Sequence, residues 1–304
     1  MSDNAEVPRL FKRQKLLLAL LQKFGGKLSN TNLQKYLFLF TEICEEDKSY
    51  EFVPYKFGCF SFQSYADRRK LKSLGLLEDN DSWEIAASNT NFSKLLDTST
   101  RNKLNLFKDK YRDLRGDALV KKVYRLYPYY ATRSEIANSL MNKDELAEIE
   151  NVRPKESGFA FFTIGYEGQS FEHYLNRLLK NNVHLLCDVR KNPLSRKYGF
   201  SKKTLSETLN KLGIEYLHVP ELGIVSDKRR SLNLPSDYKA LFDDYERTIL
   251  KENTNSLDML YSQFVEKKRV AITCFEAESC MCHRSRVAQE LCRRPDWSYP
   301  INHI

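Results

Sequence analysis

The sequence predicts an α/β protein: a mainly parallel, three-layer, Rossmann-like domain in the C-terminal half, preceded by a smaller helical domain. From residue 159 onward, short apolar runs alternate with helical stretches of about ten residues, which is typical of parallel strands joined by crossover helices. Residues 1–100 instead show amphipathic helices and short strand-like segments. The length of 304 residues is about that of two domains.

Composition favours a folded protein with reduced cysteines. Hydrophobic residues make up 41% of the chain, which is enough for packed cores. No window approaches the ~20 apolar residues of a membrane helix, and the first residues lack a signal-peptide pattern. The seven cysteines are an odd number spread over a long chain, which disfavours a disulfide framework. We therefore expect a cytoplasmic location and no membrane partner.

Charge favours a polyanionic partner. The chain has 49 Lys and Arg against 40 Asp and Glu, a formal net charge of +9. Such a balance attracts nucleic acids without identifying one. We expect nucleic acid, and DNA in particular, as the partner, and we also consider a homodimer.

Residues 1–100 predict three helices and a short wing. Apolar residues recur at helical spacing over residues 10–24, and Gly25-Gly26 ends that helix. Ser29 is a suitable N-cap for a second helix. A third helix is predicted over residues 61–74, and strand-like residues 82–85 follow. This order of elements is that of a winged helix-turn-helix domain.

Three motifs in this segment match a known kind of module. They are Asn32-Leu33-Gln34-Lys35-Tyr36, Tyr55-Lys56-Phe57-Gly58-Cys59 and Leu71-Lys72-Ser73-Leu74-Gly75-Leu76. They resemble the winged-helix modules at the head of antitoxin-like and regulatory proteins, although Cys59 stands where such modules usually carry proline. The resemblance implies DNA binding by cations of the third helix: Arg68, Arg69, Lys70 and Lys72. Alternatively, these cations form a solvated face.

Residues 101–156 mix basic and aromatic residues and are predicted to be a helical linker. Aromatic rings interleaved with cations can stack on bases and pair with phosphates. The interpretation that we favour is a pair of linker helices whose tyrosines pack between the domains. Pro128 and the cap-like run Asn142-Lys143-Asp144-Glu145 mark helix boundaries in this segment.

Residues 157–304 are predicted to form the catalytic α/β domain. The predicted strands are residues 159–164, 185–189, 214–218 and 269–275. The predicted helices are residues 170–181, 203–212 and 285–292, with a long helical region that ends near residue 264. Ligands of parallel sheets bind at the carboxyl ends of the strands. Polar residues cluster at three of these ends, so we expect them to share one pocket.

The motifs at and after these strand ends are distinctive in order and spacing. They are Thr163-Ile164-Gly165-Tyr166-Glu167, Asp188-Val189-Arg190 with Pro193, Ser195, Gly199 and Phe200, Leu217-His218-Val219-Pro220-Glu221-Leu222-Gly223, and Cys274-x-Glu276 with Cys282-His283-Arg284. Over residues 157–295 they resemble the family called domain of unknown function 488. The resemblance implies an α/β domain with these residues in one cleft, and no particular reaction. Ile224 departs from the Leu-Gly-Gly of many relatives, and Cys280 is an extra thiol.

Two carboxylates are the main catalytic candidates. Glu276 directly follows the last predicted strand and lies along the chain between the cations Arg269 and Arg284, which suits a general acid or base. With Asp188 it would form a carboxylate pair suited to hydrolysis at a sugar carbon, including an N-glycosidic bond. Asp188 and Arg190 are two residues apart and point to the same side. Arg190 either binds an anion or forms a buried ion pair with Asp188 that holds the following loop.

The remaining candidates would hold the substrate. Arg190 and Arg284 are candidates for phosphate binding, and Tyr166 for stacking on a base. The glycines around Tyr166-Glu167 permit close backbone approach to a phosphate or sugar. The full set of substrate-binding candidates is Gly165, Tyr166, Glu167, Arg190, Ser195, Arg196 and Arg284.

The cysteines of the tail leave two further interpretations open. Cys282 and His283 precede the last predicted helix, whose dipole and neighbouring arginines would lower the pKa of a thiol, so both are added to the catalytic candidates. Cys274, Cys280, Cys282 and His283 are also acceptable zinc ligands. Cys274 is predicted within a strand and no Cys-x-x-Cys pair exists, so we expect no metal and no cofactor.

The sequence therefore predicts a DNA-binding enzyme that hydrolyses or removes a modified nucleotide or base, in a glycosylase-like reaction of DNA repair or phage defence. The alternative is a DNA-binding transcriptional regulator whose α/β domain senses a nucleotide or a redox ligand. A third hypothesis is a thiol-dependent enzyme that works through Cys282.

Overall fold

The chain divides into two compact units, Met1–Arg153 and Pro154–Ile304, which we describe separately. The computed structural model describes residues 8–87, 89–225 and 234–304. Within these ranges, no helix combines the length and the hydropathy that crossing a membrane requires.

The first unit is mainly helical. Its elements are α1 (Lys12–Lys23), β1 (Lys27–Leu28), α2 (Asn30–Cys44), β2 (Val53–Tyr55), β3 (Gly58–Phe60), α3 (Phe62–Ser73), β4 (Trp83–Glu84), α4 (Thr98–Tyr111), α5 (Gly116–Leu126), α6 (Ala137–Leu140) and α7 (Lys143–Asn151). Strands β2 and β3 form an antiparallel hairpin, and β1 pairs antiparallel with β4. Ser29 and Ser61 cap α2 and α3 by accepting hydrogen bonds from backbone amides, which confirms the predicted helix starts.

The segment predicted as a linker supplies part of the core of this unit. Leu104 of α4 and Val123 of α5 are buried in the same apolar cluster as α1 and α2. Tyr127 and Tyr130 pack edge-on against Phe38 of α2. These tyrosines therefore pack inside the first unit, where the sequence predicted them between domains. The reason is that α5 is strongly amphipathic: Tyr124 on its apolar face is buried, Arg125 is exposed, and the tyrosines that follow the helix continue into the same core.

The second unit is a parallel α/β domain, which confirms the predicted fold class of the C-terminal half. Its elements are β5 (Ala160–Gly165), α8 (Phe171–Lys180), β6 (Leu185–Asp188), α9 (Lys202–Lys211), β7 (Glu215–His218), α10 (Pro235–Tyr245), α11 (Thr254–Lys267), β8 (Arg269–Cys274), α12 (Arg284–Cys292) and β9 (Ile301–His303). All five strands are parallel, in the order β7-β6-β8-β5-β9. In the usual Rossmann order the first two strands are neighbours, whereas here β8 lies between β5 and β6.

Helices cover both faces of this sheet. Residues of α10, α11 and α12 share a buried cluster with Phe161, Val270 and Ile272 on one face. Thr273 alternates to the other face, where its Oγ1 accepts a hydrogen bond of 2.9 Å from the hydroxyl of Tyr174 in α8. The domain therefore has the three layers that the sequence predicts.

Candidate functional site

Three neighbouring strands end together at the carboxyl edge of the sheet. Gly165 at the end of β5 lies beside Cys274 at the end of β8, and Asp188 at the end of β6 lies beside Thr273. The polar motifs that follow these strands are brought together because β8 lies between β5 and β6. The three strand ends are thus neighbours, as the sequence predicted, while the pocket that they would share stays a prediction.

Gly165 allows the loops after β5 and β8 to touch. A Cβ at Gly165 would lie 1.8 Å from the backbone oxygen of Glu276. The amides of Tyr166 and Glu167 both donate to the backbone oxygen of Phe275, at 3.1 and 2.9 Å. The close backbone approach predicted at this glycine is therefore made to the neighbouring loop, rather than to a phosphate or sugar.

Asp188 and Arg190 form a buried ion pair. Arg190 Nε donates to Asp188 Oδ1 at 2.8 Å, and Arg190 Nη2 donates to Oδ2 at 2.5 Å. Arg190 Nη1 donates at 2.8 Å to both the Tyr166 hydroxyl and the backbone oxygen of Phe200. Asp188 is fully buried and Arg190 is 6% exposed. Of the two alternatives that the sequence left open, the geometry is that of the ion pair holding the loop.

The predicted stacking of Tyr166 on a base is corrected by this network, which also includes Tyr216. Tyr166 is buried and its ring stacks on Phe200, with centroids 4.2 Å apart and planes at 10°, so this face is not open to a base. Asp188 Oδ2 also accepts a hydrogen bond of 2.7 Å from the hydroxyl of Tyr216, a residue that the sequence analysis missed. Burial, and then the Asp188 carboxylate, raise the pKa of Tyr216, which keeps its proton in this hydrogen bond.

Arg284 also has a structural role. It is 1% exposed, and its guanidinium donates to the backbone oxygens of Glu276 and Ala277. The position of Arg284 at the start of α12 directs it under the loop after β8. The prediction that Arg284 binds phosphate is therefore wrong in this geometry, because the side chain is covered by the loop that it holds.

Cys274, Cys282 and His283 are buried side by side. His283 Nδ1 lies 3.5 Å from the Sγ of Cys274 and 3.9 Å from that of Cys282, and the three donor atoms lie within 4.8 Å of one another. His283 Nε2 lies 2.9 Å from the backbone oxygen of Val189. Cys280 is exposed and is not a member of this group. The sequence argument against a metal does not hold, because Cys274 ends its strand with its sulfur towards His283.

The thiol of Cys282 is not activated as the sequence suggested. Burial, and then the neighbouring Cys274, raise its pKa above the ordinary value of 9.0. Arg284 acts in the opposite direction, but with a smaller effect. Desolvation outweighs the effect of Arg284, so the pKa of the Cys282 thiol is raised where the sequence predicted that it is lowered.

The accessible part of the site contains the remaining candidates. Glu276 is half-buried, and its Oε2 accepts a hydrogen bond of 3.3 Å from the Cys274 thiol. Glu167 is exposed, and its Oε2 accepts a hydrogen bond of 3.0 Å from the backbone amide of Ala277. Ser195 is half-buried and accepts from the amide of Lys197, while Arg196 is exposed. These side chains face solvent where a ligand of a parallel sheet would bind.

Lys197 and His218 are further residues at this edge that the sequence analysis did not select as candidates. Lys197 Nζ donates 3.0 Å to the backbone oxygen of Tyr166, and His218 Nε2 lies 2.9 Å from that of Arg190. The signal for β7 was available, since Tyr216 and His218 alternate along one strand and so share a face.

The four cations predicted to bind DNA have two different environments in the first unit. Arg68 donates to the backbone oxygens of Asn80 and Ser82, and Lys72 pairs with Asp79 at 3.0 Å. Arg68 and Lys72 thus brace the segment before β4. Arg69 and Lys70 are exposed.

Comparison with known proteins supports the resemblance in the C-terminal half. Residues 170–291 match the sequence model of the family described as Domain of unknown function DUF488. This range contains Asp188, Arg190, Glu276 and Cys282-His283-Arg284, so the motifs of β6, β8 and α12 fall within it. Neither the curated proteins nor the solved structures gave a match.

Proposed function

We propose that the chain is a DNA-binding hydrolase whose second unit processes or removes a modified nucleotide or base. The observation that carries this proposal is the position of Glu276. It is a half-buried carboxylate just beyond the end of the central strand β8, on a loop held from below by Arg284. A carboxylate fixed at this edge, with access to solvent, suits a general base that activates water.

Glu167 is the second carboxylate of the proposed reaction, in place of the buried Asp188. Its Oε2 binds the amide of Ala277, the residue after Glu276, so both acidic residues belong to the same contact between loops. One carboxylic acid can protonate a leaving base while the other carboxylate activates water, as in hydrolysis of glycosidic bonds. We assign the base role to Glu276 and the acid role to Glu167.

Surface cations around the edge support a phosphate-bearing substrate. Lys191 and Arg196, in the loop after β6, are exposed, and Lys197 is half-buried. Unlike Arg190 and Arg284, the exposed pair is accessible to a ligand. We therefore propose that Arg196 and Lys191 contact phosphate groups, whereas Arg190 and Arg284 position the loops.

The first unit supports DNA as the polymer. Helices α1 to α3, the pairing of β1 with β4 and the antiparallel bridge between Leu77 and Ile85 follow the order of a winged helix-turn-helix domain. The β2–β3 hairpin stands between α2 and α3 as an addition to that minimal order. In this proposal α3 approaches DNA, and the exposed Arg69 and Lys70 contact its phosphates.

The reaction is tested by incubating the protein with normal and modified DNAs, both duplex and single-stranded, and identifying released bases and nucleotides by mass spectrometry. We expect Glu276→Gln to abolish product while DNA affinity is retained. Glu278→Gln is the control, because Glu278 is an exposed carboxylate of the same loop. Product that survives Glu276→Gln would contradict the assignment. Binding without any product would identify the DNA-binding regulator instead.

The DNA contact is tested by the salt dependence of affinity. The slope of log affinity against log salt is negative, and each lost phosphate contact lowers its magnitude by about 0.9. We expect the double variant Arg69→Ala, Lys70→Ala to lower that magnitude by about 2. Lys143→Ala, which removes an exposed cation of α7, should leave the slope unchanged. Equal slopes for all three proteins would contradict binding through α3.

A further inference from the structure

The buried group of Cys274, Cys282 and His283 has the composition of a metal site. Cys274 is the last residue of strand β8, and Cys282 and His283 immediately precede α12, so each of the three lies at or beside the end of a regular element. Each is about 1% exposed, and their donor atoms lie within 4.8 Å of one another. Two sulfurs and one imidazole nitrogen, brought together from separate elements, are a set that zinc prefers.

The orientation of His283 favours metal binding. Its Nε2 lies 2.9 Å from the backbone oxygen of Val189, which can only accept a hydrogen bond. Nε2 therefore carries the proton of the neutral ring, and Nδ1 presents its lone pair to the two sulfurs. A histidine that binds metal through one ring nitrogen usually donates a hydrogen bond from the other nitrogen to an acceptor such as a backbone oxygen.

The distances in this group fit a tetrahedral ion. Bonds of about 2.3 Å to sulfur and about 2.0 Å to nitrogen imply sulfur to nitrogen distances of about 3.5 Å. The observed distances from His283 Nδ1 are 3.5 Å to Cys274 and 3.9 Å to Cys282. With the two sulfurs and the nitrogen all within 4.8 Å of one another, both sulfur-to-nitrogen distances are close to those around one tetrahedral ion.

We propose that Cys274, Cys282 and His283 bind a zinc ion whose fourth position faces Glu276. The carboxylate of Glu276 borders the group, with its Oε2 at 3.3 Å from the sulfur of Cys274, and it is the part of this corner that reaches solvent. Three protein ligands with one position left for water is the arrangement of catalytic zinc sites. Cys280, although only two residues from Cys282, is exposed and outside the site.

The use of this ion in catalysis rests on the proposed function. A zinc ion held by these residues would lower the pKa of a water beside Glu276. Glu276 would take the proton from that water as the water oxygen forms a bond to the carbon under attack. The bond to the leaving group breaks with its electron pair on that group, which receives a proton from Glu167.

Zinc binding is tested without substrate, so that its result does not depend on the reaction. Metal analysis of the protein purified under reducing conditions should give about one zinc per chain. Replacement by Co²⁺ should produce a tetrahedral spectrum with thiolate-to-cobalt charge transfer. Cys274→Ser and Cys282→Ser should each lower zinc affinity at least about a hundredfold, while Cys280→Ser leaves it unchanged.

Several outcomes would overturn this site. A wild-type protein that binds no zinc, or a Co²⁺ spectrum without thiolate bands, contradicts it without depending on whether any variant folds. Loss of zinc in Cys280→Ser equal to that in Cys282→Ser would show that the ligands are wrong. Glu276→Gln should keep zinc affinity within about threefold, since a loss comparable to that of a ligand would indicate a closed site with four protein ligands.

Failure of the proposed reaction is recognised separately. If zinc is bound through these ligands but no DNA yields a product, the zinc site is supported and the proposed hydrolase activity is contradicted. Product that is lost in Glu276→Gln but persists after complete removal of zinc would keep the hydrolase and overturn the catalytic use of the ion.

Discussion

Asp188 is an acidic residue at a strand end whose neighbours decide its role. A buried charge is costly unless it is paired, and the carboxylate of Asp188 meets the guanidinium of Arg190 and the hydroxyl of Tyr216. The same spacing of two residues is compatible with a catalytic acid beside an anion-binding arginine. The Asp188-Val189-Arg190 motif does not include Tyr216, the partner from β7 that completes the buried arrangement, which is why both alternatives stayed open.

Removal of one member of this pair should destabilise the second unit. We expect Asp188→Asn to lower the free energy of unfolding by about 3–5 kcal/mol, because Arg190 would be left buried without its counter-charge. Urea unfolding followed by the fluorescence of Trp297 measures this change, and Glu278→Gln should stay within about 0.5 kcal/mol of wild type. A cost below about 1 kcal/mol would show that the pair is solvated.

Lys35 is a second residue whose charge is controlled by burial. It is 1% exposed, its Nζ donates to the backbone oxygens of Phe57 and Cys59, and burial lowers its pKa from the ordinary 10.5. The folded state therefore binds fewer protons than the unfolded state between the lowered pKa and 10.5. The contribution of Lys35 to the free energy of unfolding therefore rises with pH across that window and is constant above it.

This pH effect is measured against Lys35→Met. Cys59 titrates nearby, since burial raises its pKa to about 11, so both proteins should carry Cys59→Ala. We expect the free energy of unfolding of the protein with Lys35 to rise relative to Lys35→Met as the pH approaches 10.5. Parallel curves over that range would show that Lys35 titrates alike in the folded and unfolded states.

At the scale of elements, the contact of the β5 and β8 loops depends on Gly165. A Cβ added at Gly165 would meet backbone atoms of Glu276, which cannot rotate away as a side chain could. We expect Gly165→Ala to cost about 3 kcal/mol or more in unfolding free energy and to abolish product, because the Glu276 loop must shift. Gly158→Ala is the matched control, since no atom lies within 4 Å of its added Cβ. Similar stabilities of the two variants would contradict the contact.

The strands were predictable to different degrees. β5, β6 and β8 are apolar runs that bury both faces, so they could be located from sequence to within one residue at each end. β9 was missed because Ile301-Asn302-His303 contains only one apolar residue. It forms a strand because its backbone pairs with β5, which the local sequence pattern does not reveal. The position of β8 between β5 and β6 is a spatial order that no local pattern encodes.

The location of the candidate site could be predicted from sequence better than the contacts of its residues. Polar residues after parallel strands indicated the correct edge, and Glu276 remains accessible there. The group of Cys274, Cys282 and His283 was given little weight because Cys274 was predicted within a strand and neither cysteine belongs to a Cys-x-x-Cys pair. They meet because the chain returns from β8 directly into α12, which brings His283 back against the end of the strand.

At the scale of the whole molecule, the chain combines two units with separate cores. The aromatic residues of residues 101–153 belong to the first core, and the boundary falls between Arg153 and Pro154. Residues 155–158 are exposed. The proposed functions divide in the same way, with the DNA contact on α3 of the first unit and the metal and carboxylates in the second.

Limited proteolysis should separate these two functions. Trypsin should cut first after the exposed Lys155, because nearby cleavage after Arg153 is blocked by Pro154, and each fragment keeps its own buried core. We expect DNA affinity to remain with the fragment that contains Trp83, and zinc with the fragment that contains Trp297, as measured after separation by mass spectrometry, metal analysis and DNA binding. Zinc in the Trp83 fragment would contradict the Cys274, Cys282 and His283 site. DNA affinity confined to the Trp297 fragment would contradict the role of α3, because the phosphate contacts would then belong to the cations around the sheet edge.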